Sequence, residues 1–147
     1  MNLTIRQAAL EDLPMLLPLY RYLGMDDGTI LDETEAQSLF QRIAAYPDYK
    51  VYVSEIRGEV IGTFGLLIMD NLGHRGKPSA VLEDVVVHPA WRRKGIGGQM
   101  VRFAMSLAAA KGCYKISLTS DLRRQEAHRF YEELGFRRHG ISFSLPL

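Results

Sequence analysis

The stretch from 85 to 98 constrains this chain more than any other. A run of three valines, Val85, Val86 and Val87, stops at His88 and Pro89, since proline cannot donate to a strand ladder. Three cations follow, Arg92, Arg93 and Lys94, and then Gly95, Ile96, Gly97 and Gly98 open a segment with Ile96, Met100, Phe103 and Leu107 at helical spacing. A strand thus feeds a helix through a basic, glycine-rich turn. The first turn of a helix leaves backbone N–H groups unpaired and carries partial positive charge. Glycines let that backbone approach an anion without a Cβ in the way. The turn therefore predicts a site for a pyrophosphate, with the three cations on its rim.

The rest of the chain reads as strands and helices in alternation, without repeats, linkers or biased tracts. Residues 3–8 alternate as a strand. A helix follows Asp12, read as its N-cap, and Pro18 is expected to shorten it. A second helix spans about 32–45, and 50–56 with 60–69 form a hairpin about Arg57-Gly58-Glu59. Residues 70–79 read as a loop, 80–88 as a strand, 95–111 as a helix, 113–119 as a strand and 123–134 as a helix, with strand material from Phe136 to the end. The order β-α-α-β-β-β-α-β-α-β describes a single α/β domain, 1–147, around a mixed sheet.

Composition removes several classes of function. With 147 residues the chain has room for one core. Eighteen basic against seventeen acidic residues lack the excess of a nucleic-acid binder. No apolar run is long enough to span a bilayer, and residues 1–10 have no signal-peptide core. Cys113 is the one cysteine, which excludes an internal disulfide and fits a cytoplasmic setting, with the thiol buried at a strand start. The histidines show no metal-ligand spacing, so no metal is expected; His88, His128 and His139 are read as surface or capping residues.

Two phosphate-binding patterns are excluded by inspection. No Gly-Lys-Ser/Thr run exists, and Met100 stands where a dinucleotide fingerprint needs its third glycine. What remains, Arg92-x-x-Gly95-x-Gly97 after a strand, resembles the coenzyme A loop of the GNAT acetyltransferase superfamily. A second segment, Ala127, Phe130, Tyr131, Gly135 and Phe136, is similar to that superfamily's A-x-x-F-Y-x-x-x-G-F signature. On a helix Ala127, Phe130, Tyr131 and Leu134 share one face, turned toward the sheet. Glu83 to Val87 with 112–116 resembles glucosamine-6-phosphate N-acetyltransferases, and 123–131 resembles aminoalkylphosphonate N-acetyltransferases. The strong match covers about 80–138.

The resemblance implies a mixed, mostly antiparallel sheet flanked by helices, and acetyl transfer from acetyl-CoA to a primary amine of a small molecule by direct attack on the thioester. Relatives suggest a homodimer in which 142–147 pairs across the interface. A protein or peptide N-acetyltransferase and a non-catalytic acyl-CoA sensor stay open as alternatives. Glu83 is the candidate base, since an alkylammonium of pKa about 10.4 is almost wholly protonated at pH 7. Asp84 is expected on the opposite face by strand alternation. Backbone N–H groups of Val85, Val86 or Val87 are implied donors to the developing oxyanion, and Tyr131 the implied acid for the departing thiolate. Relatives carry an asparagine ahead of the tyrosine helix; here Ser120 or Gln125 would replace it in holding the pantetheine. For the acceptor, the loop 71–77, with His74, Arg75 and Lys77, suits an anionic group, whereas Asp26 and Asp27 suit a cationic one.

Overall fold

The computed structural model describes residues 1–24 and 28–147; Asp26 and Asp27 lie outside the described residues. The chain divides into two compact units, Met1–Ser117 and Leu118–Leu147.

The first unit is built on a five-stranded sheet in the order β1-β2-β3-β4-β5, comprising β1 (Leu3–Gln7), β2 (Tyr49–Ile56), β3 (Glu59–Met69), β4 (Ser79–Val87) and β5 (Ile116–Ser117). The first three pairings are antiparallel and β4–β5 is parallel, so the sheet is mixed and mostly antiparallel, as expected. The β2–β3 hairpin turns at Arg57 and Gly58, whose φ values of 53° and 80° belong to the turn whose twist matches that of the strands.

Two kinds of helix cover the faces. On one, α1 (Leu13–Leu16) passes at Leu17 into a 3-10 turn, Leu17–Leu23, because Pro18 lacks the N–H a continuing helix needs. Then α2 (Glu33–Ala44) starts at Asp32, whose carboxylate accepts from Thr34 N at 2.9 Å and Glu35 N at 3.1 Å. Leu16, Leu19, Val53, Val60 and Val86 form the core on this face. On the other face lies α3 (Ile96–Ala110), with Phe103 against Tyr52 at 5.9 Å between ring centroids and Met100 under Ser54.

Asp12 does not cap α1 with its side chain. Its carboxylate accepts two hydrogen bonds from Arg6, at 2.7 and 2.8 Å, and one from Ala9 N at 2.7 Å, and Arg6 reaches Glu55 as well. The ion pair therefore ties β1 and β2 to the first turn.

The second unit holds α4 (Gln125–Glu133). Ala127, Phe130, Tyr131 and the C-capping Leu134 are half-buried, while Glu126, Arg129, Glu132 and Glu133 are exposed, in keeping with a shared face. His128, also half-buried, lies off that face with its Nε2 2.8 Å from Asp121 O. No strand forms in 136–147, which corrects the final β of the expected order. Phe143, Leu145 and Leu147 alternate as a strand would, yet all three are exposed and none has a ladder partner. An alternating pattern makes a strand only where a neighbour takes its backbone groups. The strand expected at 113–119 contracts for the same reason to Ile116–Ser117, so Cys113 precedes it rather than starting it.

Candidate active site

β4 pairs with β5 only at Ala80↔Ile116 and Val81↔Ser117. From 82 to 87 the edge of β4 that faced β5 has no ladder partner among the described residues. His88 N donates to Ile61 O at 2.8 Å, which makes His88–Ile61 a hydrogen-bonded pair and Val87–Gly62 a non-bonded one. The N–H of Val87 therefore points to the open edge. Its carbonyl is held there by Arg92 Nε at 3.1 Å. By the same alternation Val86 N–H belongs to the β3 ladder, whereas Val85 lies in an irregularity described below.

Beyond β4 the basic turn folds as its sequence predicts. Pro89–Trp91 is a 3-10 turn, with His88 Nδ1 accepting from Ala90 N at 3.2 Å. Arg93 and Gly95 carry positive φ, 60° and 77°, and this pair of left-handed residues turns the chain into α3. Gly95 is the N-cap and has no side chain to fill that role, so the amides of Ile96, Gly97 and Gly98 open the helix without a side-chain cap. Ile96 is buried and anchors the turn, while Arg92, Arg93 and Lys94 are exposed around it. Lys94 lies 4.8 Å above the Trp91 ring and Arg92 5.9 Å above that of Tyr22. Uncapped amides with exposed cations on their rim suit a pyrophosphate.

Glu83 sits midway along β4, with Gly65 opposite it on β3 and Val51 opposite Gly65 on β2. Gly65 pairs with Glu83 and Thr63 with Val86, so Phe64 alone opposes both Asp84 and Val85. This is a β-bulge, and Asp84 adopts φ 51° within it. The bulge overturns the expectation that alternation sends Asp84 to the opposite face. Its carboxylate acts through space on Glu83, on Tyr49 and on Tyr20, all on the face that α1 and α2 cover.

The electrostatics of this cluster follow from burial and like charge. Glu83 and Asp84 are both exposed on β4; partial desolvation by the surrounding protein, and then Asp84, push Glu83 above the usual carboxylate range, and partial desolvation raises Asp84. Burial, reinforced by Asp84, pushes the Tyr20 phenol up to about 12, with an opposing hydrogen bond to Thr63. Thr63 Oγ1 in turn donates to Tyr52 O at 2.7 Å. Tyr49 is raised by burial and by both acids. Tyr20 stands at the helical spacing of a core residue, and Tyr49 and Gly65 belong to no motif, so none of the three is marked as a site residue by the sequence. The usable signal was the pair of glycines, Gly62 and Gly65, inside a strand, a pattern that marks a bulge or a close approach.

In the second unit, Tyr131 lies edge-on to Phe130 and Phe136, at 5.0 and 5.7 Å between centroids. Burial raises its phenol, with Arg124 opposing, so it stays protonated through neutral pH. Ser120 has a buried hydroxyl with no hydrogen-bond partner. An orphan hydroxyl of this kind fits a site that a ligand's amide completes. Asp121, held below the usual range by Arg123, accepts from Arg123 N and Nε instead.

The loop 71–77 lies at the other end of β4 from the basic turn. His74 stacks on Tyr114 at 4.2 Å, and Asn71 Nδ2 donates to Lys77 O at 2.8 Å. Among the described residues no group of three or more His, Cys, Asp or Glu could hold a metal ion, and no helix is long and apolar enough to cross a membrane.

Comparison with known proteins agrees with this geometry. The chain is 34% identical over 98 residues to a glucosamine 6-phosphate N-acetyltransferase of Trypanosoma brucei brucei, a match covering 67% of this chain and 65% of that protein. It is 30% identical over 90 residues to an aminoalkylphosphonate N-acetyltransferase of Salmonella typhimurium, covering 61% and 58%. Each match thus spans less than two thirds of the relative. A solved structure described as a putative acetyltransferase from Agrobacterium tumefaciens str. C58 superposes with a TM-score of 0.92 at 34% identity, over 98% of this chain and 99% of that one. The family model described as Acetyltransferase (GNAT) family matches residues 16–136. With the split strand, the bulge and the left-handed glycine turn in place, the chain belongs to the GNAT acetyltransferase family.

Proposed function

We propose that this protein transfers an acetyl group from acetyl-CoA to the primary amine of a small molecule, by direct attack of the amine on the thioester. The observation that carries the reading is the turn 92–98. Its uncapped helix amides and three cations suit a pyrophosphate, and it follows directly on a strand whose edge is open.

Each chemical need then has a residue suited to it. The acceptor arrives as an ammonium and must lose a proton before it can attack. Glu83, raised by partial desolvation and by Asp84, takes that proton directly or through a water. As the nitrogen adds to the carbonyl carbon, negative charge gathers on the thioester oxygen. Of the backbone N–H groups of 85–87, that of Val87, which points to the open edge, suits it as the donor, since the N–H of Val86 belongs to the β3 ladder. The carbon–sulfur bond breaks as the carbonyl re-forms, and the departing thiolate takes a proton from Tyr131, the residue that matches the family's tyrosine. The second proton of the nitrogen is lost and the phenolate reprotonated, which leaves a neutral amide, a thiol and the starting phenol. Burial raises the Tyr131 phenol above its ordinary value, so it holds its proton until the thiolate forms and is available as a donor at neutral pH. Ser120, Ala127 and Phe130 are assigned to the pantetheine arm, and Ile96, Gly97 and Gly98 to the pyrophosphate. The reading carries a single domain over 1–147, a cytoplasmic setting and a homodimer.

The test is thiol release from acetyl-CoA with a panel of small amines and short peptides. Release with a small amine, slowed at least tenfold in Tyr131→Phe with coenzyme affinity kept, supports the reading. Release with peptides alone overturns it.

A further inference from the structure

Tyr22 lies near the end of the 3-10 segment Leu17–Leu23, which closes at Gly24 with φ 73°. Its side chain is not part of the core. It is 41% exposed, and its hydroxyl has no hydrogen-bond partner among the described residues. What the ring does touch is the basic turn, far along the chain. The His88 ring stands edge-on to it, at 5.5 Å between centroids and 80° between planes. The Arg92 guanidinium lies 5.9 Å from the Tyr22 centroid, inside the range of about 6 Å for a cation–π attraction. His88 is the last residue before the 3-10 turn Pro89–Trp91 and Arg92 the first after it. One ring therefore meets both ends of that turn.

Both partners are also fixed from within. His88 N donates to Ile61 O at 2.8 Å, and His88 Nδ1 accepts from Ala90 N at 3.2 Å, which sets the imidazole on the end of β4. Arg92 Nε donates to Val87 O at 3.1 Å, while its Nη hydrogens have no hydrogen-bond partner among the described residues. The guanidinium is thus held at two points with its remaining donors free. The other two cations of the turn are not held in this way. Lys94 rests on Trp91, inside the turn itself, and Arg93 has no hydrogen bond or ring contact among the described residues. A side chain already in place gives up less rotamer freedom when an anion arrives, and a planar guanidinium with free Nη donors matches phosphate oxygens.

We propose that Tyr22 is a positioning residue for the coenzyme: it holds Arg92 with Nε on Val87 O and the Nη donors free for a pyrophosphate oxygen. This inference rests on the reading of the turn 92–98 as the coenzyme site. It adds to that site a residue from the opposite half of the sequence, one that belongs to none of the motifs by which the turn was found.

The experiment is calorimetric titration of the whole protein with coenzyme A, with kcat and the KM for acetyl-CoA measured alongside. Loss of an exposed cation–π contact should weaken coenzyme A about two- to fivefold in Tyr22→Leu. KM for acetyl-CoA should rise by the same factor with kcat unchanged. Tyr22→Phe keeps the ring and should bind as the unaltered protein does. In an Arg92→Gln background Tyr22→Leu should change nothing further, because the cation it holds is gone. Thermal melting confirms that the variants fold, and Tyr22→Gln, which also lacks the ring, reads the same loss should the leucine variant not fold. Unchanged or tighter coenzyme A binding without the ring overturns the proposal. So does equal weakening in Tyr22→Phe, or a loss that persists undiminished in Arg92→Gln, either of which places Tyr22 in packing alone. These outcomes leave the coenzyme site standing, whereas an unaltered protein that does not bind coenzyme A overturns that site and the role of Tyr22 together.

Discussion

The Tyr49 ring occupies the space a side chain at Gly65 would need: a Cβ there would lie 3.3 Å from Tyr49 Cε1 and 3.4 Å from its hydroxyl, with Glu83 Cβ 3.6 Å away. The first contact is tighter than ordinary van der Waals packing and the second is at its limit. Gly65→Ala should therefore push the Tyr49 phenol away from Glu83 without disturbing the buried core. The expected outcome is a fall of about tenfold in kcat/KM for the acceptor, with coenzyme A affinity unchanged and a stability loss of about 1 kcal/mol. Equal losses of coenzyme and acceptor affinity would place the effect on the fold rather than on the acceptor side.

The raised carboxyl of Glu83 gives a prediction in pH. A base must be ionised to accept a proton, so the rate should rise with pH through the raised Glu83 value and level above it. Glu83→Gln should remove that limb along with most of the rate. Asp84→Asn removes the like charge that helps raise Glu83, so the limb should survive and move to lower pH. A pH–rate profile unchanged in Glu83→Gln would exclude it as the base.

How much of this site the sequence disclosed depends on how local each feature is. The basic turn was legible because its chemistry lies within one contiguous stretch: Pro89 ends the strand, Gly95 supplies the left-handed residue, and Ile96 faces the core. The bulge was not. Alternation is a property of a strand, but whether Phe64 opposes one residue or two depends on the partner strand. Asp84 can take φ 51° because a short polar side chain tolerates that region, yet nothing in its neighbours requires it. Tyr20 was hidden differently, since its apolar helical spacing is that of core, and only the β2–β4 neighbours reveal its hydroxyl beside Asp84. The tail 136–147 misled for a third reason, its alternating Phe143 and Leu145 finding no partner strand.

Ser120 separates stability from binding. Its hydroxyl is buried without a partner, so Ser120→Ala removes an unmet polar group and should leave the melting temperature unchanged or slightly raised. If the hydroxyl serves the pantetheine arm, the same change should weaken coenzyme A about fivefold, equivalent to about 1 kcal/mol. Calorimetric titration with coenzyme A checks this. An unchanged dissociation constant would release Ser120 from the coenzyme site.

Acid stability is governed by a different carboxylate. Asp12 is held below its ordinary range first by the Arg6 guanidinium and then by Ala9 N–H, against the cost of burial. A lowered folded-state value means that the stabilisation is present in full above the unfolded value of about 3.9 and is lost as pH falls through the folded one. Asp12→Asn should cost about 2 kcal/mol, kept from being larger because the Arg6 side chain is 36% exposed and solvent screens it. The cost should be evident in urea unfolding at pH 7 and should shrink as both proteins are taken well below the unfolded carboxylate value of about 3.9, as the native carboxylate is itself protonated. Glu55, the second partner of Arg6, retains its hold in the variant, so β1 should stay in register and the loss should appear as earlier unfolding of one cooperative transition. A destabilisation that stays constant from pH 7 down to pH 2 would show that Asp12 acts through packing and not through its charge.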